Sequence, residues 1–157
     1  MLCIGVVSPV QSEDRINLLA DVPPPDEWRF IGLEDATSKC IGDPKTPLCA
    51  VETVIACFAR MDISLCRRVG MTGEIYLGEK ARDVNYKVVA AKILTEKDIT
   101  RELEFVDWWK PGFVDFTILE PDYGKNICHA ESCNYGYTVN LVDDEWHFKS
   151  GAQWGAD

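Results

Sequence analysis

Thiols, two histidines, a few carboxylates and a set of aromatic side chains are the groups in this 157-residue chain that could carry specific chemistry. Six of the seven cysteines, Cys40, Cys49, Cys57, Cys66, Cys128 and Cys133, lie well inside the sequence. Such thiols can close disulfides, hold a metal or exchange electrons. Cys128, His129, Cys133 and His147 provide four candidate zinc ligands, but their spacing matches none of the usual finger patterns. No Cys-x-x-Cys pair is present to form a dithiol redox centre. Disulfides are therefore the expected fate of all six, with no metal and no cofactor. Spacing alone cannot choose among their pairings. Local pairing is the simplest arrangement: Cys40–Cys49, Cys57–Cys66 and Cys128–Cys133. Each bridge would add on the order of 2–4 kcal/mol, short loops at the lower end.

Acid–base chemistry has weaker support. There is no glycine-rich phosphate loop, no Gly-x-Ser-x-Gly elbow and no His-Glu-x-x-His. His129 adjoins a cysteine and reads as solvated. His147 lies between Trp146 and Phe148 in a strand pattern and points away from both. The strand-rich half is crowded with aromatics, which either fill the core or line an apolar pocket. Tyr86, Trp108, Trp109, Asp115, Tyr137 and His147 are the pocket candidates. Asp107, beside Trp108, is a further carboxylate near such a pocket. Asp115 shares strand parity with Phe113 and Thr117, while Val114, Phe116 and Ile118 line the other face, so the solvent side is favoured for it.

Bulk composition narrows the classes. Hydrophobic content of 46% and charged content of 27% are those of a globular domain with its own core. A net charge of −10 and a pI near 4.6 disfavour nucleic-acid backbones and anionic membrane surfaces. No stretch reaches the ~20 apolar residues of a bilayer span, so a soluble product is expected. The apolar run from Met1 to Val7, followed by Ser8-Pro9-Val10-Gln11-Ser12, resembles the end of a signal peptide cut before Glu13. No Lys or Arg precedes that run, which suggests a true start farther upstream. The same residues could instead form an ordinary N-terminal strand or tail. Cleavage would remove Cys3 and leave an even set of cysteines, as suits a periplasmic or secreted protein. The organisation expected is a signal-peptide remnant over 1–12, an N-terminal arm over 13–45, and one α+β domain over 46–157.

The elements that would position these groups follow from pattern. A short helix over Glu13–Asp21 ends at Pro23-Pro24-Pro25, and Glu27–Pro44 reads as loop. Thr46-Pro47 is a strong helix start. Leu48, Val51, Val54, Ile55 and Phe58 then give one apolar face to about Met61. Asp62 opens a second helix over Ile63–Val69, closed by Gly70. Strands are expected at Glu74–Leu77, Tyr86–Leu94, Ile99–Phe105 and Phe113–Leu119. A loop over Glu120–Asn134 follows, then a hairpin of Tyr135–Val142 and Glu145–Ser150 about Asp143-Asp144. Helices first and antiparallel strands after is an α+β pattern.

The run from Thr46 to Asp62 resembles the first helix and acidic turn of the nuclear-transport-factor-2-like superfamily, which includes ketosteroid-isomerase-like enzymes. The final Tyr-Thr-Val strand, the Asp143-Asp144 turn and Glu145-Trp146-His147-Phe148 are similar to that superfamily's last hairpin. The resemblance covers about residues 46–154. It implies N-terminal helices packed on a curved antiparallel sheet with a cone-shaped cavity. The isomerase's tyrosine on the first helix has no counterpart here, so no catalytic residues are carried over. The function expected is non-catalytic binding of a small molecule or protein partner, with room for a homodimer. An isomerase- or lyase-like enzyme and an accessory or inhibitory subunit of a cell-envelope complex are the alternatives.

Overall fold

A computed structural model describes residues 18–121 and 133–155, with backbone only at 133 and 152–155. Its centre is helix α1, Pro47–Arg60. Thr46 caps it by accepting a hydrogen bond from the Cys49 N–H at 3.2 Å, and its hydroxyl donates to Asp21 at 2.6 Å. Pro47 follows at the first helical position. Met61 ends the helix in the left-handed region (φ 54°), and its N–H closes back on the Cys57 and Phe58 carbonyls. Asp62 then caps helix α2, Ile63–Arg68, through the Ser64 N–H at 2.9 Å.

Helix α1 is not merely amphipathic. All of its residues except Phe58 and Arg60 are buried. The apolar stripe faces the sheet residues of one continuous core, including Val84, Tyr86, Val88, Val114, Phe116, Ile118, Val139 and Trp146. The remaining faces are closed by loops tied to polar atoms of the helix. Thr53 Oγ1 donates to the Cys49 carbonyl at 2.7 Å and accepts from the Gly42 N–H at 2.9 Å. Arg60 Nε donates to the Gly32 carbonyl at 2.8 Å. Disulfides Cys40–Cys49 and Cys57–Cys66 secure the two ends, with Cα atoms 5.5 and 5.3 Å apart. Both are pairs that local pairing expects; Cys128 falls outside the described residues, as does the side chain of Cys133.

Five strands form a curled antiparallel sheet in sequence order: β1 (Arg29–Ile31), β2 (Val84–Ile93), β3 (Val114–Glu120), β4 (Cys133–Val142) and β5 (Glu145–Gly155). Along β3 the alternation is clean, with Val114, Phe116, Ile118 and Glu120 buried. β4 and β5 meet at Asp143-Asp144, where both residues have positive φ (50° and 64°), the geometry of a two-residue hairpin turn that matches sheet twist.

Three expectations fail. β1 falls inside the segment read as loop; three residues are too few to show an alternation. Glu74–Leu77 forms no strand, and Tyr76 there is 80% exposed. Ile99–Phe105 is a chain of turns, with Leu103 N–H donating to Thr100 O and Val106 N–H to Leu103 O. Phe105 is 89% exposed, so the apparent alternation has no core to face. Just before it, Asp98 accepts from the Thr95 N–H at 2.8 Å and the Thr95 hydroxyl at 3.1 Å, closing the single 3-10 turn Glu96–Asp98. The helix expected over Glu13–Asp21 lies largely outside the described residues, whose last part, 18–21, is a turn. Among the described residues, no helix is long and apolar enough to cross a membrane.

The β4–β5 hairpin is fastened to the helical side of the molecule. Trp146 N–H donates to Pro44 O at 2.8 Å and Phe148 N–H to Val69 O at 2.9 Å. Glu145 receives a two-pronged grip from Arg68 (2.8 and 2.9 Å), supplemented by Lys45 at 3.4 Å. The Arg68 hydrogen bonds, assisted by its charge and by Lys45, hold the Glu145 carboxyl down at about 2. An unfolded-chain glutamate titrates near ~4.3. Because the native value is the lower one, this grip contributes fully above the unfolded pKa and is lost as pH falls toward about 2. Glu145→Gln should therefore be less stable than wild type near neutral pH, with the gap closing steadily through the acid range. Urea melts at a series of pH values check this; a gap independent of pH would contradict it.

Candidate functional site

Glu52 places a carboxylate in the middle of α1, on the sheet-facing stripe. It is four residues after Leu48 and three before Ile55, so the helical period turns it inward with them. Glu52 is 0% exposed. Its Oε1 accepts hydrogen bonds from Arg29 Nε at 2.7 Å and from the Tyr86 hydroxyl at 2.5 Å. Arg29 Nε also lies 3.4 Å from the Tyr86 oxygen. The sheet sets this geometry, because Arg29 on β1 and Tyr86 on β2 are direct cross-strand partners. Glu52 Oε2 is equally buried and has no hydrogen-bond partner among the described residues.

The electrostatics fix protonation states. Burial, then the adjacent Glu52 charge and hydrogen bond, push the Tyr86 phenol far above its ordinary value, so it stays a neutral donor. Burial pulls the Arg29 guanidinium downward, but the hydrogen bonds and charge of Glu52 and Tyr86 outweigh this and leave it raised. A carboxylate held by a neutral phenol and a cation is chemically a base with a neighbouring acid. Here every reacting atom is covered.

The sequence-derived candidates disperse over four neighbourhoods. Tyr86 alone joins Glu52. Tyr137 sits on the core side, stacked on Tyr135 at 6.3 Å between ring centres and edge-on to Phe148 at 6.2 Å. His147 rests against Gly70, where an added Cβ would strike the imidazole ring. Trp146 and Phe148 join the core instead, as strand alternation expects.

Trp108, Trp109 and Asp115 gather around Lys92 on the outer side of the sheet. Lys92 is the cross-strand partner of Asp115. Its ammonium bonds Asp98 at 3.0 Å and lies 5.7 Å from the Trp109 ring centre. Trp109 Nε1 donates to Asp98 O at 2.9 Å, and Trp108 meets Trp109 edge-on at 6.1 Å. Asp115 is half-buried, and that burial raises its carboxyl against the opposing effects of Lys92 and the Thr138 hydroxyl. This cluster is consolidated by its own contacts rather than arranged around an opening.

An accessible depression among the described residues lies elsewhere, with a volume of about 410 Å³ between the 34–41 segment and the end of α1. Glu34, Asp35, Ser38, Lys39 and Arg60 supply polar groups of both signs. Arg60 is anchored there through the Gly32 and Asp35 carbonyls. Among the described residues, no group of His, Cys, Asp and Glu is arranged to hold a metal ion.

Glu52 and Arg29 were absent from the sequence candidates, although one signal was visible. A glutamate falling on an apolar helical stripe is either a register error or a buried charge awaiting a partner. Breaking such a pair by removing one member costs about 3–5 kcal/mol, whereas replacing all members with apolar groups can be nearly neutral. Arg29→Met alone should thus destabilise by about 3–5 kcal/mol, and Arg29→Met/Glu52→Leu/Tyr86→Phe should recover most of that loss. Denaturant unfolding of both variants measures it; a triple variant worse than the single one would refute it. No known protein family, curated protein or solved structure matches this chain, so its own residues must carry the functional conclusion.

Proposed function

We propose that this chain is an exported, disulfide-braced domain that binds a small molecule or a protein partner without catalysis. The observation that carries this reading is the closure of the one carboxylate–phenol pair described above. Glu52 and Tyr86 are both 0% exposed and are engaged with each other and with Arg29, so no substrate reaches them in this conformation. The open depression offers recognition instead of reaction. Its carboxylates and cations suit a ligand carrying both charges, such as a zwitterionic small molecule or a mixed-charge peptide loop. Cys40–Cys49 holds one wall of it to α1, which limits the entropy lost on binding.

Two disulfides support a periplasmic or secreted location, since such bonds persist in oxidising compartments. After β1, the order of two helices and then four antiparallel strands is compatible with the nuclear-transport-factor-2-like resemblance, which remains part of this proposal. That likeness implies a cone-shaped cavity, which ligand density retained in a crystal would locate.

An acid–base enzyme is the second reading, favoured by one specific observation: among the described residues, Glu52 Oε2 lacks a hydrogen-bond partner beside a phenolic donor. Such an enzyme would have to open between α1 and β1 to admit a substrate. The two readings separate experimentally. Nuclear magnetic resonance titrations with amino acids and short dipeptides should shift signals around residues 34–41, and Lys39→Glu should weaken binding about tenfold, roughly 1.4 kcal/mol. Wild-type turnover of small carbonyl or hydroxy compounds, abolished by Glu52→Gln in a folded protein, would overturn the binding proposal in favour of the enzyme.

A further inference from the structure

The two disulfides share one helix and equal sequence separations of 9, yet they differ in the burial of their outer cysteine and in the helix end they occupy. Cys57 and Cys66 are both 0% exposed. Cys57 lies in the last turns of α1, where the helix dipole disfavours a thiolate. Cys40, in contrast, is only half-buried and sits on the loop outside the helix. Its partner Cys49 occupies the first turn of this 14-residue helix, three residues after the Thr46 cap, where the dipole stabilises a thiolate. A half-buried cysteine outside the helix is thereby bonded to one at the helix N-terminus, whose dipole favours departure as a thiolate although the residue itself is only 5% exposed. The Ser38 hydroxyl lies 3.4 Å from Cys40 Sγ and also accepts from the Cys40 N–H at 3.3 Å, which keeps that sulfur in a polar setting.

We propose that Cys40–Cys49 is a thiol–disulfide exchange site, attacked at Cys40, while Cys57–Cys66 is a permanent structural bond. The co-reactant is a thiol or dithiol. Its thiolate attacks Cys40 Sγ in line with the sulfur–sulfur bond, forming a mixed disulfide at Cys40 as the electron pair departs on Cys49 Sγ. A second thiolate then attacks the co-reactant's sulfur in that mixed disulfide. The Cys40 thiolate is released, the two co-reactant sulfurs are joined, and both cysteines take protons from water. Two electrons pass from the co-reactant to the protein. The released segment carries Ser38, Lys39 and Ile41 of the depression, so the same step unfastens one of its walls from α1.

Peptide-level mass spectrometry of the full, undenatured chain tests this. Treated with dithiothreitol and quenched by alkylation, Cys40 and Cys49 should be labelled at least about tenfold faster than Cys57 and Cys66, with circular dichroism unchanged. Incubation with glutathione alone should place the first adduct on Cys40. Hydrogen exchange after selective reduction should rise in residues 33–45 while the middle of α1 stays protected. Equal labelling rates of the two pairs, labelling only on global unfolding, or a first glutathione adduct on Cys49 would each overturn the proposal.

Discussion

A negative charge buried in the middle of a core helix is the constraint that organises this fold. Taking the Glu52 carboxylate out of water costs several kcal/mol unless a cation and a donor meet it there. Arg29 and Tyr86 do so, and they can only do so together if β1 pairs with β2 in the observed register. β1 has three residues, too few for its ladder alone to define that register. A slip of one position would turn Arg29 away and present Trp28 or Phe30 to the carboxylate. The ionic contact therefore does for β1 what length does for the ten- and eleven-residue strands at the other side of the sheet.

The same logic explains the distribution of polar links along α1. Apart from Glu52, its sheet-facing stripe is held by apolar burial. Its other sides meet connecting segments that add apolar contacts to the core, such as Ile41 and Met71, and are also attached by specific bonds. Cys40–Cys49 and the Thr53–Gly42 hydrogen bond hold the 40–45 segment; Arg60 holds the turn at 32–35; Cys57–Cys66 holds α2. The β4–β5 hairpin closes the arrangement from the far side, through the Pro44 and Val69 carbonyls and the Glu145 grip. A helix buried all round is thus held by hydrophobic packing together with covalent, charged and neutral hydrogen-bonded links.

What could be read from the sequence divides along this line. α1, α2, their caps, four of the five strands and the final turn were legible because each is specified by neighbours in the chain, as at Thr46-Pro47, Asp62, Gly70 and Asp143-Asp144. The two local disulfides were legible for the same reason. β1 was not, since its position depends on Glu52, 23 residues away. The segment over 99–105 was misread because alternation was counted without knowing whether any surface was present to bury it, and Phe105 is 89% exposed. Among the site residues, Tyr86 was singled out for its aromatic ring, whereas its hydroxyl is what matters, and Glu52 and Arg29 went unnoticed. Function was the least legible part, because pairing of an acid with its partners is a tertiary event.

The carboxylates also divide by location in a way that shapes the response to acid. Burial raises Glu120, opposed by Arg82, and raises Asp115, opposed by Lys92 and Thr138. A raised carboxyl gains stability relative to the unfolded chain below its unfolded pKa and loses it as pH climbs through the folded value. Glu145, on the periphery, runs in the opposite sense. Moderate acidification therefore relieves the sheet carboxylates before the hairpin grip is spent, and it also reduces the mutual repulsion within a chain of net charge −10. The weak point under stronger acid is consequently the docking of β4–β5 against Arg68 and Lys45, not the sheet itself. Unfolding by acid should begin where the hairpin leaves the helices, with the disulfide-bound α1 and α2 separating last.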